Sequence, residues 1–188
     1  NSVVIPSLPS GVYVFEVRTR CSVATFSDYS NAVVFTVTGN YYLIAGGNTN
    51  VLANWGSNTD GTGSNPSTLN ESGAIWNIRN NTSVSNPATW TLGAGAKIIV
   101  GDGASATNFT LPTGFNVTGT IDVANLGTLT LQNATNPTLG TLAVGSTVDY
   151  NGTGVQTITV ANYSNLTISG TRLASPVITL ASGTIGVG

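Results

Sequence analysis

Over most of the chain, apolar side chains come two apart, with one residue between them and a Gly, Asn or Thr turn after them. Phe109/Leu111, Phe115/Val117, Ile121/Val123 and Leu129/Leu131 form one series, and Leu142/Val144, Val148/Tyr150, Ile158/Val160 and Leu166/Ile168 continue it. A period of two marks a strand with one buried face, because successive side chains point to opposite sides. No sustained i, i+3, i+4 pattern competes with it, and Gly and β-branched residues are spread throughout, so the chain reads as all-β. A strand this short turns only two side chains inward. Units of that kind bury a continuous core only by stacking. The pattern therefore predicts a β-solenoid, or β-helix, over 41–188. A sandwich is the competing arrangement, but its strands would be longer and roughly 8–12 residues apart.

Residues 1–40 have a different texture. Val3-Val4-Ile5 predicts a short strand ended by Pro6, and Leu8-Pro9-Ser10-Gly11 a turn. Val12 to Cys21 predicts a long strand. Tyr13, Phe15, Val17, Thr19 and Cys21 share one face of it. Val12, Val14, Glu16, Arg18 and Arg20 share the other, which the charges place in water. Ser22 to Asn31 is a polar loop, and Ala32 to Val37 a third strand.

The segment Leu8-Pro9-Ser10-Gly11-Val12-Tyr13-Val14-Phe15-Glu16-Val17-Arg18 resembles the E–F corner and F strand of a fibronectin type III domain. Tyr13 matches the tyrosine-corner position, with Phe15 two residues later where an immunoglobulin domain has its second Cys. Phe26 to Asn31 and the Val-rich strand after it resemble the F–G loop and G strand. The resemblance implies an incomplete fibronectin type III-like sandwich, with only its last three strands, E-F-G, where about seven are needed. Three strands leave bare edges and an uncovered apolar face. Either a longer chain supplies the rest, or another chain does so by β-strand complementation. The residues expected at such a joint are Val3, Val4, Ile5, Val12, Tyr13, Val14, Phe15, Val17, Val33, Val34, Phe35 and Val37.

Composition narrows the chemistry. The 188 residues include no His, no Met and a single Cys, which excludes triads with an imidazole base, His-ligated zinc, intrachain disulfides and thiolate clusters. Five basic residues at net charge −2 do not neutralise a run of phosphates, so nucleic acid is not an expected partner. No apolar run approaches the ~20 residues of a membrane helix, so no membrane insertion is expected. With 29 Thr, 21 Asn and 23 Gly against 6% charged residues, the composition suits turns stacked rung on rung, which hydrogen-bond without like-charge repulsion, and an extracellular setting. The chain opens Asn1-Ser2-Val3 without an initiator Met or a visible signal peptide, and reads as a mature segment or a piece of something longer. Cys21 is expected to be a small buried thiol, with an intermolecular disulfide as the alternative.

The opening of the repeat region, 41–90, is rich in aromatic residues and is expected to cap the regular rungs of 91–188. Its string Asn54-Trp55-Gly56-Ser57-Asn58-Thr59-Asp60-Gly61-Thr62-Gly63, with the later Ile99-Val100-Gly101-Asp102-Gly103, resembles repeat modules of very large secreted surface proteins of the Bacteroidota. This implies an exported bacterial cell-surface or extracellular protein of adhesin or structural type. The final segments, Val177 to Leu180 and Thr184 to Gly188, still follow the repeat without a polar cap. That is the expectation for a link in a longer assembly, covalent or head-to-tail.

Three sets of residues carry candidate chemistry. Asp102, Asp122 and Asp149 are the only plausible catalysts. A row of carboxylates on a β-helix face would serve polysaccharide cleavage, but outward strand positions in water explain them more simply, and Lys97 alone is near in sequence. Asn58 and Asp60 supply alternate oxygens before a turn glycine, as in part of a calcium loop, although no acidic residue closes it; an Asx-rich turn is the simpler reading. Trp55, Trp76 and Trp90, with Tyr41 and Tyr42, form either an exposed glycan platform or a buried cap, and the cap is the reading adopted. The whole predicts a non-catalytic structural or adhesive protein that needs no cofactor. Its partners are copies of itself, neighbouring modules of one long chain, or surface glycans. A carbohydrate-binding accessory module of a larger secreted enzyme is the alternative.

Overall fold

The computed structural model describes residues 8, 11–19, 22, 26–172 and 178–188. The chain divides into two compact units, Asn1–Gly39 and Asn40–Gly188. In the first, β1 (Gly11–Phe15) pairs antiparallel with β2 (Val33–Val37), from Gly11 opposite Val37 to Phe15 opposite Val33. Tyr13 and Phe35 stack across the pair at 5.7 Å. The strand predicted through Cys21 is regular only to Phe15. Beyond it, Val17 N donates to Ser30 Oγ at 2.9 Å and Thr19 N to Ser27 Oγ at 2.8 Å. Short hydroxyl side chains compete for backbone donors in this way, and here they replace the ladder carbonyls. Val3-Val4-Ile5 and Cys21 lie outside the described residues, so what is described of this unit is a two-stranded ribbon.

The second unit is a β-solenoid of about five turns. It starts with β3 (Asn40–Leu43); an insertion follows, with one 3-10 turn (Leu52–Asn54) and β4 (Trp55–Gly56). The next coil holds β5 (Ile75–Ile78), β6 (Ser83–Ser85) and β7 (Trp90–Thr91), and the one after it β8 (Lys97–Val100), β9 (Thr107–Leu111) and β10 (Val117–Thr118). Then come β11 (Thr120–Val123) and β12 (Gly127–Leu131), followed by β13 (Thr138–Leu142), β14 (Thr147–Tyr150) and β15 (Gln156–Ile158). The last strands are β16 (Asn162–Tyr163), β17 (Asn165–Ile168), β18 (Ile178–Leu180) and β19 (Gly186–Val187). A six-stranded sheet runs β13-β11-β8-β5-β3-β4, parallel except for the antiparallel β4 at its edge. A five-stranded sheet, β17-β14-β12-β9-β6, is parallel throughout. Shorter parallel pairs, β7–β10, β15–β18 and β16–β19, complete the walls.

Stacking brings like residues into columns. Tyr41, Trp76, Ile98, Ile121 and Leu139 form one inward column, and Ile78, Val100, Val123 and Leu142 the next. From the five-stranded sheet, Val84, Phe109, Leu129, Val148 and Leu166 face them. Most of these side chains are fully buried, and each contributes about 1.5–3 kcal/mol of transfer free energy. Coil length varies along the chain: paired positions lie 22 residues apart at Ile75/Lys97, 23 at Lys97/Thr120, 18 at Thr120/Thr138, and again 22 at Gln156/Ile178 and 24 at Asn162/Gly186. The bulkiest rings, Trp55, Trp76 and Trp90, fall in the longer early coils, where more interior volume must be filled.

Not every predicted pair points inward. Val144 is 87% exposed, whereas Leu139 and Leu142 flank a bulge in β13 and turn toward the core. The bulge accommodates Asp122, whose Oδ1 accepts Thr141 N at 2.8 Å; a side chain at Gly140 would collide with that carboxylate. Phe115, Val160 and Ile168 are also exposed. Phe115 and Val160 lie outside regular strands, where the period-two rule has no force, and Ile168 ends the last strand of its sheet.

Polar side chains clamp each coil to the one before it. Asn133, buried, donates to Pro112 O and Phe115 O at 2.8 Å each and accepts Gly114 N at 2.7 Å. Gln156, also buried, donates to Leu131 O and Asn133 O and accepts Gly152 N. Arg172 donates to Tyr150 O, Gly154 O and Gln156 Oε1. Backbone groups that the turns leave unpaired are satisfied by this column.

Candidate functional site

The predicted joint residues fall on the ribbon, whose apolar positions are open on both faces. Val12, Val14, Val33 and Val34 are 69%, 61%, 58% and 64% exposed. Phe15, Val17 and Phe35 are exposed too, and Tyr13 and Val37 are half-buried. Pairing in register puts Tyr13, Phe15, Val33, Phe35 and Val37 on one face, and Val12, Val14 and Val34 on the other. The second face was expected to be polar because of Glu16, Arg18 and Arg20. Regular strand structure stops at Phe15, so Glu16 and Arg18 do not extend that face; Arg20 lies outside the described residues. Arg18 instead lays its guanidinium over the Phe26 ring at 4.0 Å and within 5.1 Å of Tyr29.

The aromatic opening is buried apart from Tyr42, which is half-buried with the Arg79 guanidinium 5.8 Å from its ring. Trp55 and Trp76 are fully buried and Trp90 nearly so. Trp76 lies 5.1–5.3 Å from Tyr41, Trp55 and Trp90, and Trp55 lies 5.7 Å from Trp90. Trp55 Nε1 donates to Thr49 O and Trp90 Nε1 to Leu69 O, while Trp76 Nε1 has no partner. The glycan platform is thereby corrected: none of these three indoles presents a face to solvent, because the early coils use them to fill the core. Strand β4 and the 3-10 turn before it bring Trp55 into this stack, at the edge of the six-stranded sheet.

The Asn58–Gly63 loop spends its oxygens on itself. Asp60 Oδ1 accepts Thr62 N at 2.9 Å and Thr62 Oγ1 at 2.7 Å, and Asn58 Nδ2 donates to Thr62 Oγ1. The Thr62 hydroxyl, then its amide, holds the Asp60 carboxyl below the usual carboxylate range. Glu71 is engaged elsewhere, by Ser67 and the Tyr41 hydroxyl. No group of three or more His, Cys, Asp or Glu gathers among the described residues.

The three aspartates do not make one site. Asp122 pairs in register with Ile99 rather than stacking on Asp102, and its Oδ2 lies 2.7 Å from Lys97 Nζ. Asp149 is on the other sheet, where the Ser169 hydroxyl lies within 2.8 Å of both its oxygens. Asp102 closes a turn: it accepts the amides of Ala104 and Ser105 and pairs with Arg79 at 2.9 Å. The Ala104 amide, above all, lowers its pKa, with help from Ser105 and Arg79. Each carboxylate has its own local partners.

The sequence pattern did not single out the pair of buried phenols at the far end of the solenoid. Tyr150 and Tyr163 meet at 3.0 Å; Tyr150 accepts Thr159 N, and Tyr163 donates to Thr159 O. Burial pushes the Tyr163 phenol up, beyond reach of ordinary pH. The arrangement fixes a turn. Comparison of the chain with protein-family profiles, with curated proteins and with solved structures found no match in any of the three.

Proposed function

We propose that the chain is a non-catalytic structural or adhesive segment of an exported bacterial surface protein. The solenoid is its stiff body and the β1–β2 ribbon its joint. The observation that carries this reading is the ribbon, which holds four valines more than half exposed on a two-stranded scaffold that is marginal on its own. Covering one such side chain contributes up to about 1.5–3 kcal/mol, so an added strand or sheet gains substantially by docking there. A fibronectin type III-like completion of this unit, by other strands of a longer chain or by a second copy, belongs to the same proposal. The solenoid supports it in another way: its aspartates are locally paired and its three tryptophans are internal, which leaves stiffness and surface as what it offers.

Sedimentation velocity and electron microscopy of the full chain test the reading. Concentration-dependent association that is lost in Val14→Lys with Val34→Lys is the expected result. A chain that stays monomeric at every concentration, or association that the double variant leaves unchanged, overturns self-complementation.

A further inference from the structure

The all-parallel five-stranded sheet has an outward face that the joint does not use. The register puts two residues of each strand on this face: Asn108 and Thr110 from β9, Thr128 and Thr130 from β12, Thr147 and Asp149 from β14; Thr130 is buried there, 7% exposed, and the other five are half-buried. Strands β6 and β17 extend the same two ranks with serines at one end and an Asn/Thr pair at the other. Every position carries a hydroxyl, amide or carboxylate; none is apolar, aromatic or basic. No register shift interrupts these strand pairs, whereas β13 bulges against β11 on the neighbouring sheet. The hydroxyls of Thr110, Thr128 and Thr147 take part in no hydrogen bond within the described residues and are partly exposed, whereas the Thr130 hydroxyl donates to Asn108 Oδ1 at 3.0 Å.

Such a face is a grid. Strands stand about 4.8 Å apart, and outward residues on one strand about 6.6 Å apart. β-Branched threonines are stiff at χ1, so their hydroxyls hold these repeats with little rotamer freedom to lose. A fixed two-dimensional lattice of small neutral hydroxyl and amide groups complements a solid with a similar repeat better than it does a flexible polymer. Oxygen rows on the prism faces of hexagonal ice repeat near the inter-strand distance in one direction and somewhat beyond the along-strand distance in the other. A crystalline polysaccharide is the competing solid, but the rings of this sheet, Phe109 and Tyr150, are buried in the core and cannot stack on sugars. We propose that the outward face of the five-stranded sheet binds ice. The one charge in the grid, Asp149, interrupts it, because a carboxylate orders water around itself.

The test measures enrichment of the full chain in slowly grown polycrystalline ice, together with inhibition of ice recrystallisation. Thr128→Lys with Thr147→Lys is expected to cut the ice-bound fraction at least tenfold. Thr120→Lys, on the six-stranded sheet, should leave it unchanged, and Asp149→Thr should raise it. Circular dichroism confirms that each variant keeps its fold, and Thr147→Tyr replaces the double variant should that one unfold. Exclusion of the wild-type chain from ice overturns the proposal. So does an equal loss in Thr120→Lys, or capture by crystalline cellulose or chitin, but not by ice, that the double variant abolishes.

Discussion

The ribbon and the solenoid are built from the same kinds of residue and end in opposite states. On β1 and β2, apolar side chains lie on both faces and most of them meet water. On β5, β8 and β11, alternate residues fall into columns and vanish from the surface. Strand propensity is similar in the two regions; what differs is the presence of a neighbour that shares the register. A pair of strands has no second layer, whereas each solenoid coil presents its buried face to the other walls of the same coil and its edges to the coils above and below.

That contrast can be broken most strongly in the aromatic stack. Trp76→Ala removes a ring that touches Tyr41, Trp55 and Trp90, and should cost about 3–5 kcal/mol, read as a fall in the urea midpoint of the solenoid. Val14→Lys in the ribbon should move the same midpoint by less than about 0.5 kcal/mol, since that side chain lies mostly in water. Equal effects would erase the distinction between the two regions.

A smaller change should move stability the other way. Leu126 is the only non-glycine residue with positive φ among the described residues, at 61°, and its amide bonds to Gly145 O in the corresponding turn of the next coil. Gly145 takes the same conformation at 82°. A left-handed Leu costs about 1–2 kcal/mol, and the entropy of a replacing Gly offsets part of that. Leu126→Gly should therefore raise stability by about 0.5 kcal/mol, measured by the same denaturation.

The smallest expected effect depends on pH. The folded-state pKa of Asp102 is depressed, so its contribution is complete above the unfolded carboxylate value of about 3.9 and fades as pH falls through the lower folded value. Asp102→Asn should flatten the fall in thermal midpoint below about pH 4 and leave pH 5–8 untouched, a range in which a chain without His has little to titrate.

Regular rungs were legible because Ile121/Val123 and Leu129/Leu131 sit within single strands, where alternation alone assigns the buried face. Leu142/Val144 misled because β13 ends at Leu142 and Val144 falls in the turn after it, while the bulge held by Asp122 of the coil before makes Leu139 the inward companion of Leu142. The clamps formed by Asn133, Gln156 and Arg172 left no local trace, since their partners lie in other turns and coils and any Asn-rich chain offers many equivalent candidates. The seam near residue 40 was visible as a change in texture. The openness of both ribbon faces was only half foreseen, because Glu16 and Arg18 were read as continuing a strand that ends at Phe15.

The change from 23 to 18 residues per coil, and back to 22 and 24 at the last strand pairs, gives the tube an uneven perimeter. Its modules are not interchangeable. The coil around Trp76 grafted onto an 18-residue neighbour would carry too much ring volume for its perimeter, and an 18-residue coil in its place would leave a void around that ring. Lengthening this protein by copying one of its own units should succeed only where donor and acceptor perimeters agree, so growth of such a gene by duplication would be confined to runs of coils of equal length.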